Sequence, residues 1–226
     1  MATAYKPAMT AIPLRTDAKP VSSDGVAERA LAHLRSADPI LASIIARVGD
    51  FKMQYREPVF ASLVRSIVFQ QLHGKAATTI LNRFKEKAAG ELTPESILKL
   101  RTSQMRAVGL SNQKLSYIRD LAKKTRDGKV NFDILPQLSD EEVVAHLTQI
   151  KGIGVWTAHM FLIFALRREN VLPTGDLGVR AAMRKAYGMK VLPKPITMQR
   201  LAKNWHPYCS IASWYMWRSL DAPIEI

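Results

Sequence analysis

The stretch that most restricts how this chain can fold is Ile150-Lys151-Gly152-Ile153-Gly154-Val155, where two helical patterns meet across a single apolar residue held between glycines. Glycines so placed allow a tight turn and leave backbone N–H groups bare at the start of the next helix. A helix N-terminus of that kind is a ready anion site, and the anion could be a phosphate. Downstream, Pro173-Thr174-Gly175-Asp176 precedes another apolar-periodic run, so Asp176 reads as an N-cap. Either piece alone is most often only a turn or only a cap. Together, within Leu147 to Gly188, they put an anion-holding turn and a carboxylate in one stretch.

The rest of the chain reads as helices. Val26, Ala30, Leu31 and Leu34 share one face, and Pro39-Ile40-Leu41 opens a second helix through Val48. Pro58 begins a third, which ends at Phe69-Gln70-Gln71-Leu72-His73-Gly74 before another starts at Lys75. Polar residues interrupt two strongly apolar helices at that step. Its plain reading is a solvated turn; its functional reading is a probe entering DNA, with Leu72 as an apolar wedge. Further helices follow from Thr93, Thr102 and Asn112, and Ser139-Asp140-Glu141-Glu142 has the form of a capping box. A final pair of helices carries Trp205 to Tyr208 and Trp214 to Arg218. No alternating strand longer than a few residues and no internal repeat is found. The expectation is an all-α fold of about ten helices behind a flexible, weakly basic arm, residues 1–22.

Composition narrows the partners. Across 226 residues, Lys plus Arg total 33 against 19 Asp plus Glu, a formal net charge of +14. Such an excess points to a polyanion, with nucleic acid first and an anionic membrane surface second. No apolar stretch approaches the ~20 residues of a membrane span, so no membrane insertion is expected. The lone Cys209 excludes an intramolecular disulfide, a multi-cysteine zinc site and a four-cysteine iron–sulfur cluster built by this chain. Nothing resembles a secretory signal. An intracellular monomer, cytoplasmic or in the nucleoid, is expected, and a mitochondrial presequence is the lesser alternative for the arm.

Four blocks carry a resemblance: Phe60 to Phe84 around Gln-Gln-Leu-His-Gly-Lys-Ala-Ala, Val108-Gly-Leu-Ser-Asn-Gln-Lys, the hairpin Ile150 to Ala158, and Pro-Thr-Gly-Asp-Leu-Gly-Val-Arg ending at Arg180. Over roughly residues 25–220 the sequence resembles the helix-hairpin-helix DNA glycosylases, in particular their 3-methyladenine DNA glycosylase II branch. The resemblance implies two helical lobes with a cleft between them: residues 23–56 with 186–226, and a central lobe of 57–185. It implies an enzyme that flips alkylated purines such as 3-methyladenine and 7-methylguanine out of duplex DNA and hydrolyses the N-glycosidic bond.

Residue by residue, the resemblance makes Asp176 the catalytic carboxylate, Gly152 and Gly154 the phosphate anchor, Leu72 the wedge, and Gln71 and His73 its minor-groove neighbours. Trp156, Met160 and Trp217 would line the base pocket. The backbone carbonyls of Thr148, Ile150 and Ile153 would hold a sodium or potassium ion, and no other cofactor is implied. Relatives that also cut the DNA backbone carry a Schiff-base lysine where this chain has Trp156, so a glycosylase without lyase activity is expected. Met160 stands where the family often has an aromatic residue, and Cys209 where it often has arginine. His159 reads as a structural histidine beside the pocket. The competing readings are a non-catalytic DNA-binding module that keeps the hairpin, and a glycosylase for deaminated or oxidised bases.

Overall fold

The computed structural model describes residues 24–72 and 74–221. The N-terminal arm and His73 lie outside the described residues. Among the described residues there are twelve α-helices, two 3₁₀ turns and no strand, so the chain is all-α. The helices are α1 (Asp24–Ala37), α2 (Pro39–Val48), α3 (Phe60–Phe69), α4 (Gly74–Lys87), α5 (Pro94–Lys99), α6 (Thr102–Ala107), α7 (Asn112–Arg126), α8 (Asp140–Thr148), α9 (Val155–Phe164), α10 (Leu177–Ala186), α11 (Pro195–Leu201) and α12 (Cys209–Asp221). The sequence predicts about ten; the described residues hold twelve, of which α5, α6 and α11 are only one or two turns long.

The chain divides into two compact units, residues 56–166 and residues 24–55 with 167–221. In the first, α7 is the central element, packed on α3, α5 and α6, while α8 pairs with α9. Its apolar positions Leu115, Ile118, Leu121 and Ala122 are buried at the spacing that an amphipathic helix requires. Side chains start several of these helices. Ser111 caps α7, Thr93 and Ser96 form a reciprocal box on α5, and the predicted Ser139–Glu142 box is present on α8. Helix α9 is apolar almost all round and supplies Thr157, Ala158, Phe161, Leu162 and Ile163 to the interior.

The second unit is knotted together by one carboxylate. Asp38 caps α2, its Oδ1 accepting from Ile40 N at 3.0 Å and Leu41 N at 3.1 Å. Its Oδ2 accepts from Trp205 Nε1 at 2.9 Å and from the Tyr187 hydroxyl. Tyr187 is the C-cap of α10, so the start of α2, the end of α10 and the 3₁₀ turn Ala202–Trp205 share one anchor. Burial, reinforced by Asp38, pushes the Tyr187 phenol far above its ordinary pKa, so it stays a donor.

One boundary differs from expectation. The 57–185 lobe would include the Asp176 loop, yet residues 167–186 fold with the chain's terminal helices. Two contacts account for it: α10 packs on α12, and buried Ser210 of α12 donates to Arg168 O at 2.6 Å while accepting from Val171 N at 3.0 Å. Asp38→Ala should strand the Trp205 and Tyr187 donors and uncap α2 together. The expected loss is about 3 kcal/mol in urea unfolding followed by tryptophan fluorescence. An unchanged midpoint would contradict the anchor.

Candidate active site and nucleic-acid interface

Helix α8 stops at Thr148, and the chain turns through Gln149 to Gly154 into α9. The two glycines of the turn do different work. Gly152 has φ +78°, and a Cβ there would lie 2.0 Å from Tyr117 Cδ2, so both conformation and space demand glycine. Gly154 is in ordinary extended conformation (φ −96°, ψ 175°), and a Cβ there would meet nothing within 4 Å. The fold does not need Gly154. Its missing side chain instead leaves the α9 N-terminus open, and no side chain caps that terminus. Backbone N–H groups and a helix dipole there suit an anion.

The turn's outer groups are held from α7 and from the end of α3. Lys151 N donates to Asp120 Oδ2 at 2.8 Å, and Lys124 Nζ reaches both Asp120 Oδ2 and Gln149 O at 2.7 Å. Partial burial pushes the Asp120 carboxyl up, but Lys124 and the Lys151 amide outweigh it and hold the group below its usual range. Gln70 Nε2 donates to Gly152 O at 3.0 Å. On the other side of the turn, the Ile150 carbonyl accepts from Ile153 N at 3.1 Å, and no loop amide among the described residues donates to the Thr148 or Ile153 carbonyl. These are neutral oxygen donors, the kind that a monovalent cation takes.

Leu72 follows directly on this contact. Helix α3 ends at Phe69, Gln71 takes a left-handed conformation (φ 56°), and Leu72 is left 38% exposed. A glutamine at positive φ is uncommon and marks a turn fixed by its surroundings. Lys114 of α7 supplies part of that fixing, its Nζ donating to Val68 O at 2.8 Å. A cation on the last carbonyls of a helix also complements the dipole.

In the other unit, Asp176 is the N-cap of α10 and is 7% exposed. Its Oδ1 accepts two hydrogen bonds, from Val179 N at 2.7 Å and from Trp217 Nε1 at 2.8 Å. Trp217 is buried, and its indole N–H is committed to the carboxylate. The approach works because residue 178 is glycine: a Cβ there would lie 3.0 Å from Trp217 Cδ1 and 3.1 Å from Asp176 Oδ1. The sequence alone suggests Trp217 only as a pocket wall. The tie to Asp176, and the need for Gly178, come from three-dimensional placement.

Trp156 and Met160 lie one turn apart on α9 in the first unit, Trp156 46% exposed and Met160 partly buried. His159 between them is half-buried. Desolvation lowers its pKa against an opposing pull from Asp140, and its Nδ1 has no hydrogen-bond partner. Cys209 is fully buried, and burial pushes its thiol up to about 12, which removes it as a nucleophile. The structure therefore joins Asp176 with Trp217 in one unit, and the hairpin with the Gln71–Leu72 loop in the other. Tyr117, Asp120, Lys124 and Gln70 join the hairpin, although no local sequence signal marks them.

Residues 64–207 match the family described as HhH-GPD superfamily base excision DNA repair protein. The chain belongs to that superfamily. DNA-3-methyladenine glycosylase 1 of Schizosaccharomyces pombe is 35% identical over 198 residues, which cover 84% of this chain and 86% of that protein. A solved structure of the Schizosaccharomyces pombe 3-methyladenine DNA glycosylase in complex with abasic DNA superposes with a TM-score of 0.74 at 35% identity, covering 84% of this chain and 95% of that one. A DNA-3-methyladenine glycosidase from Bacillus halodurans superposes with a TM-score of 0.75 at 32% identity, over 85% and 94% of the two chains.

The two hairpin glycines should separate on substitution. Gly152→Ala forces the Tyr117 ring away and imposes a strained backbone, so thermal stability should fall by about 2 kcal/mol or more. Gly154→Ala should leave the melting temperature within a degree or two while weakening duplex DNA binding roughly tenfold, measured by fluorescence anisotropy. Equal behaviour of the two variants would refute the division.

Proposed function

We propose that the protein is a monofunctional DNA glycosylase that removes alkylated purines, such as 3-methyladenine and 7-methylguanine, in base excision repair. The observation that carries this reading is Asp176, a buried carboxylate held by Val179 N and Trp217 Nε1 within a chain of this superfamily. Phosphate binding alone has no use for such a group. The relatives named as 3-methyladenine glycosylases, and the one solved with abasic DNA, support the same substrate class.

The chemistry follows from the charge that develops. Breaking the bond between the sugar and an alkylated base builds positive charge on the deoxyribose ring. A carboxylate already fixed in place stabilises that charge without reorganising, and it can orient the water that completes hydrolysis. Methylation at ring nitrogen gives the purine a positive charge, so the base leaves readily and no strong acid is needed. The exposed indole of Trp156 offers such a cationic ring an electron-rich face. Indole cannot form a Schiff base, which is why lyase activity is not part of the proposal.

On the DNA side, the α9 N-terminus takes a backbone phosphate and Leu72 enters the stack beside the extruded nucleotide. The carbonyls of Thr148, Ile150 and Ile153 would hold a sodium or potassium ion at the turn, which would stiffen it. The net charge of +14 gives salt-sensitive, sequence-independent affinity, as a searching protein requires.

The test uses duplex DNA carrying 7-methylguanine or 3-methyladenine, with wild type, Asp176→Asn and Trp217→Phe. Wild type should release free base without cutting the strand. Asp176→Asn should lose at least a thousandfold in rate, equivalent to ~4 kcal/mol of barrier. Trp217→Phe keeps an aromatic ring but loses the N–H, and its kcat should fall about tenfold to a hundredfold with little change in KM. Strand cleavage with borohydride trapping would overturn the monofunctional assignment. Binding of the duplex with no base release would favour the non-catalytic module.

A further inference from the structure

Four side chains of α7 reach out to the two DNA-facing segments of their unit. Lys114 donates to Val68 O, the last turn of α3, at 2.8 Å. Tyr117 packs its ring against Gly152, and its hydroxyl accepts from Gln113 Nε2 at 2.6 Å, which fixes the ring's tilt. Asp120 accepts from Lys151 N at 2.8 Å, and Lys124 Nζ donates to Gln149 O at 2.7 Å. Spacings of three, three and four residues put all four on one helical face. The adjoining stripe, Leu115, Ile118, Leu121 and Ala122, is buried in the core, so the helix cannot rotate to relax these contacts. Gln70 closes the circuit by joining the end of α3 directly to Gly152 O at 3.0 Å.

We propose that this face of α7 is a strut that sets where the hairpin stands relative to the Gln71–Leu72 loop, with Asp120 as the positioning residue that aims the hairpin amides at a DNA phosphate. The proposal rests on the reading of the hairpin as a phosphate anchor. A carboxylate is an unexpected neighbour for an anion site, since its charge repels the phosphate. Its position resolves the conflict. Asp120 spends its charge on Lys124 and on the Lys151 amide, and by taking that amide it fixes the Ile150–Lys151 peptide plane at the entry to the glycine turn. The wedge loop is referenced to the same helix through Lys114, so wedge and anchor keep a fixed separation when DNA binds.

Charge and position predict opposite outcomes for one substitution, which makes the idea testable. Asp120→Asn removes one negative charge from a DNA-facing surface, and electrostatics alone would tighten binding and steepen its salt dependence. The strut predicts the reverse. The Kd for a duplex carrying a tetrahydrofuran abasic analogue should rise about tenfold with the slope of log Kd against log salt unchanged, because Asp120 bonds a backbone amide of the protein and no phosphate. Hydrogen exchange at the Lys151 amide should accelerate while the melting temperature moves by only a few degrees, and Asp120→Glu should restore part of the affinity. Combined with Leu72→Ala, the two effects should depart from a simple product by at least threefold, the mark of coupled sites. Unchanged or tighter binding by Asp120→Asn would overturn the positioning role, and a strictly multiplicative double variant would overturn the link to the wedge. A wild-type protein that neither binds this duplex nor releases alkylated bases would sink the functional reading itself, a separate failure.

Discussion

The contact of the Tyr117 ring with Gly152 is the constraint on which the hairpin depends. Backbone N–H groups bind an anion well only when the peptide planes are fixed beforehand, because ordering them on binding costs about 1–2 kcal/mol per residue. A two-glycine turn is the least ordered piece of chain available. Here the disorder is removed from outside: Tyr117 fills the space that a side chain at 152 would take, and Asp120, Lys124 and Gln70 hold the polar groups on either side. Glycine supplies the approach, and its neighbours supply the rigidity that glycine lacks.

Asp176 solves a related problem by a different route. An N-cap side chain is held by the helix that it starts, so the same bond that stabilises α10 also fixes the carboxylate. The indole N–H of Trp217 comes from α12, and Ser210 of the same helix secures the chain leading into the loop. The far end of α10 is secured by Tyr187 on Asp38. A helix clamped at both ends presents its cap with little freedom, which is what electrostatic stabilisation of a short-lived charge requires.

Much of this is legible in the sequence, for local reasons. Caps are written within three residues of where they act, so Ser139–Glu142 and Asp176 can be read directly, as can the turn at Gly152. Helix periodicity points to the all-α class because the buried stripes of α3 and α7 repeat at helical spacing. What escapes are pairings across many residues. Nothing local to Asp120 says that it will meet Lys151, and nothing local to Trp217 says that its N–H will find Asp176. The two glycines look equivalent in sequence because glycine is silent about its reason; only the φ of one and the open space at the other distinguish them. The boundary expected after residue 185 fails likewise, since the Ser210 bonds that assign residues 167–186 to the terminal unit span about forty positions.

These pieces divide the work between two kinds of contact. Lysine and arginine attract any phosphate backbone, damaged or sound, so a charge of +14 brings affinity but no discrimination. Discrimination has to come from something whose cost depends on the base pair. Leu72 stands exposed on a loop fixed by Gln70 and Lys114, and in the wedge role proposed for it insertion means parting a base step, which costs a few kcal/mol in sound DNA and less where pairing is already weakened. That difference is felt only if the wedge cannot give way. A mobile leucine would fold back on the surface at sound and damaged sites alike, whereas one referenced to the proposed phosphate anchor through a single helix with a buried apolar stripe must either enter or stall.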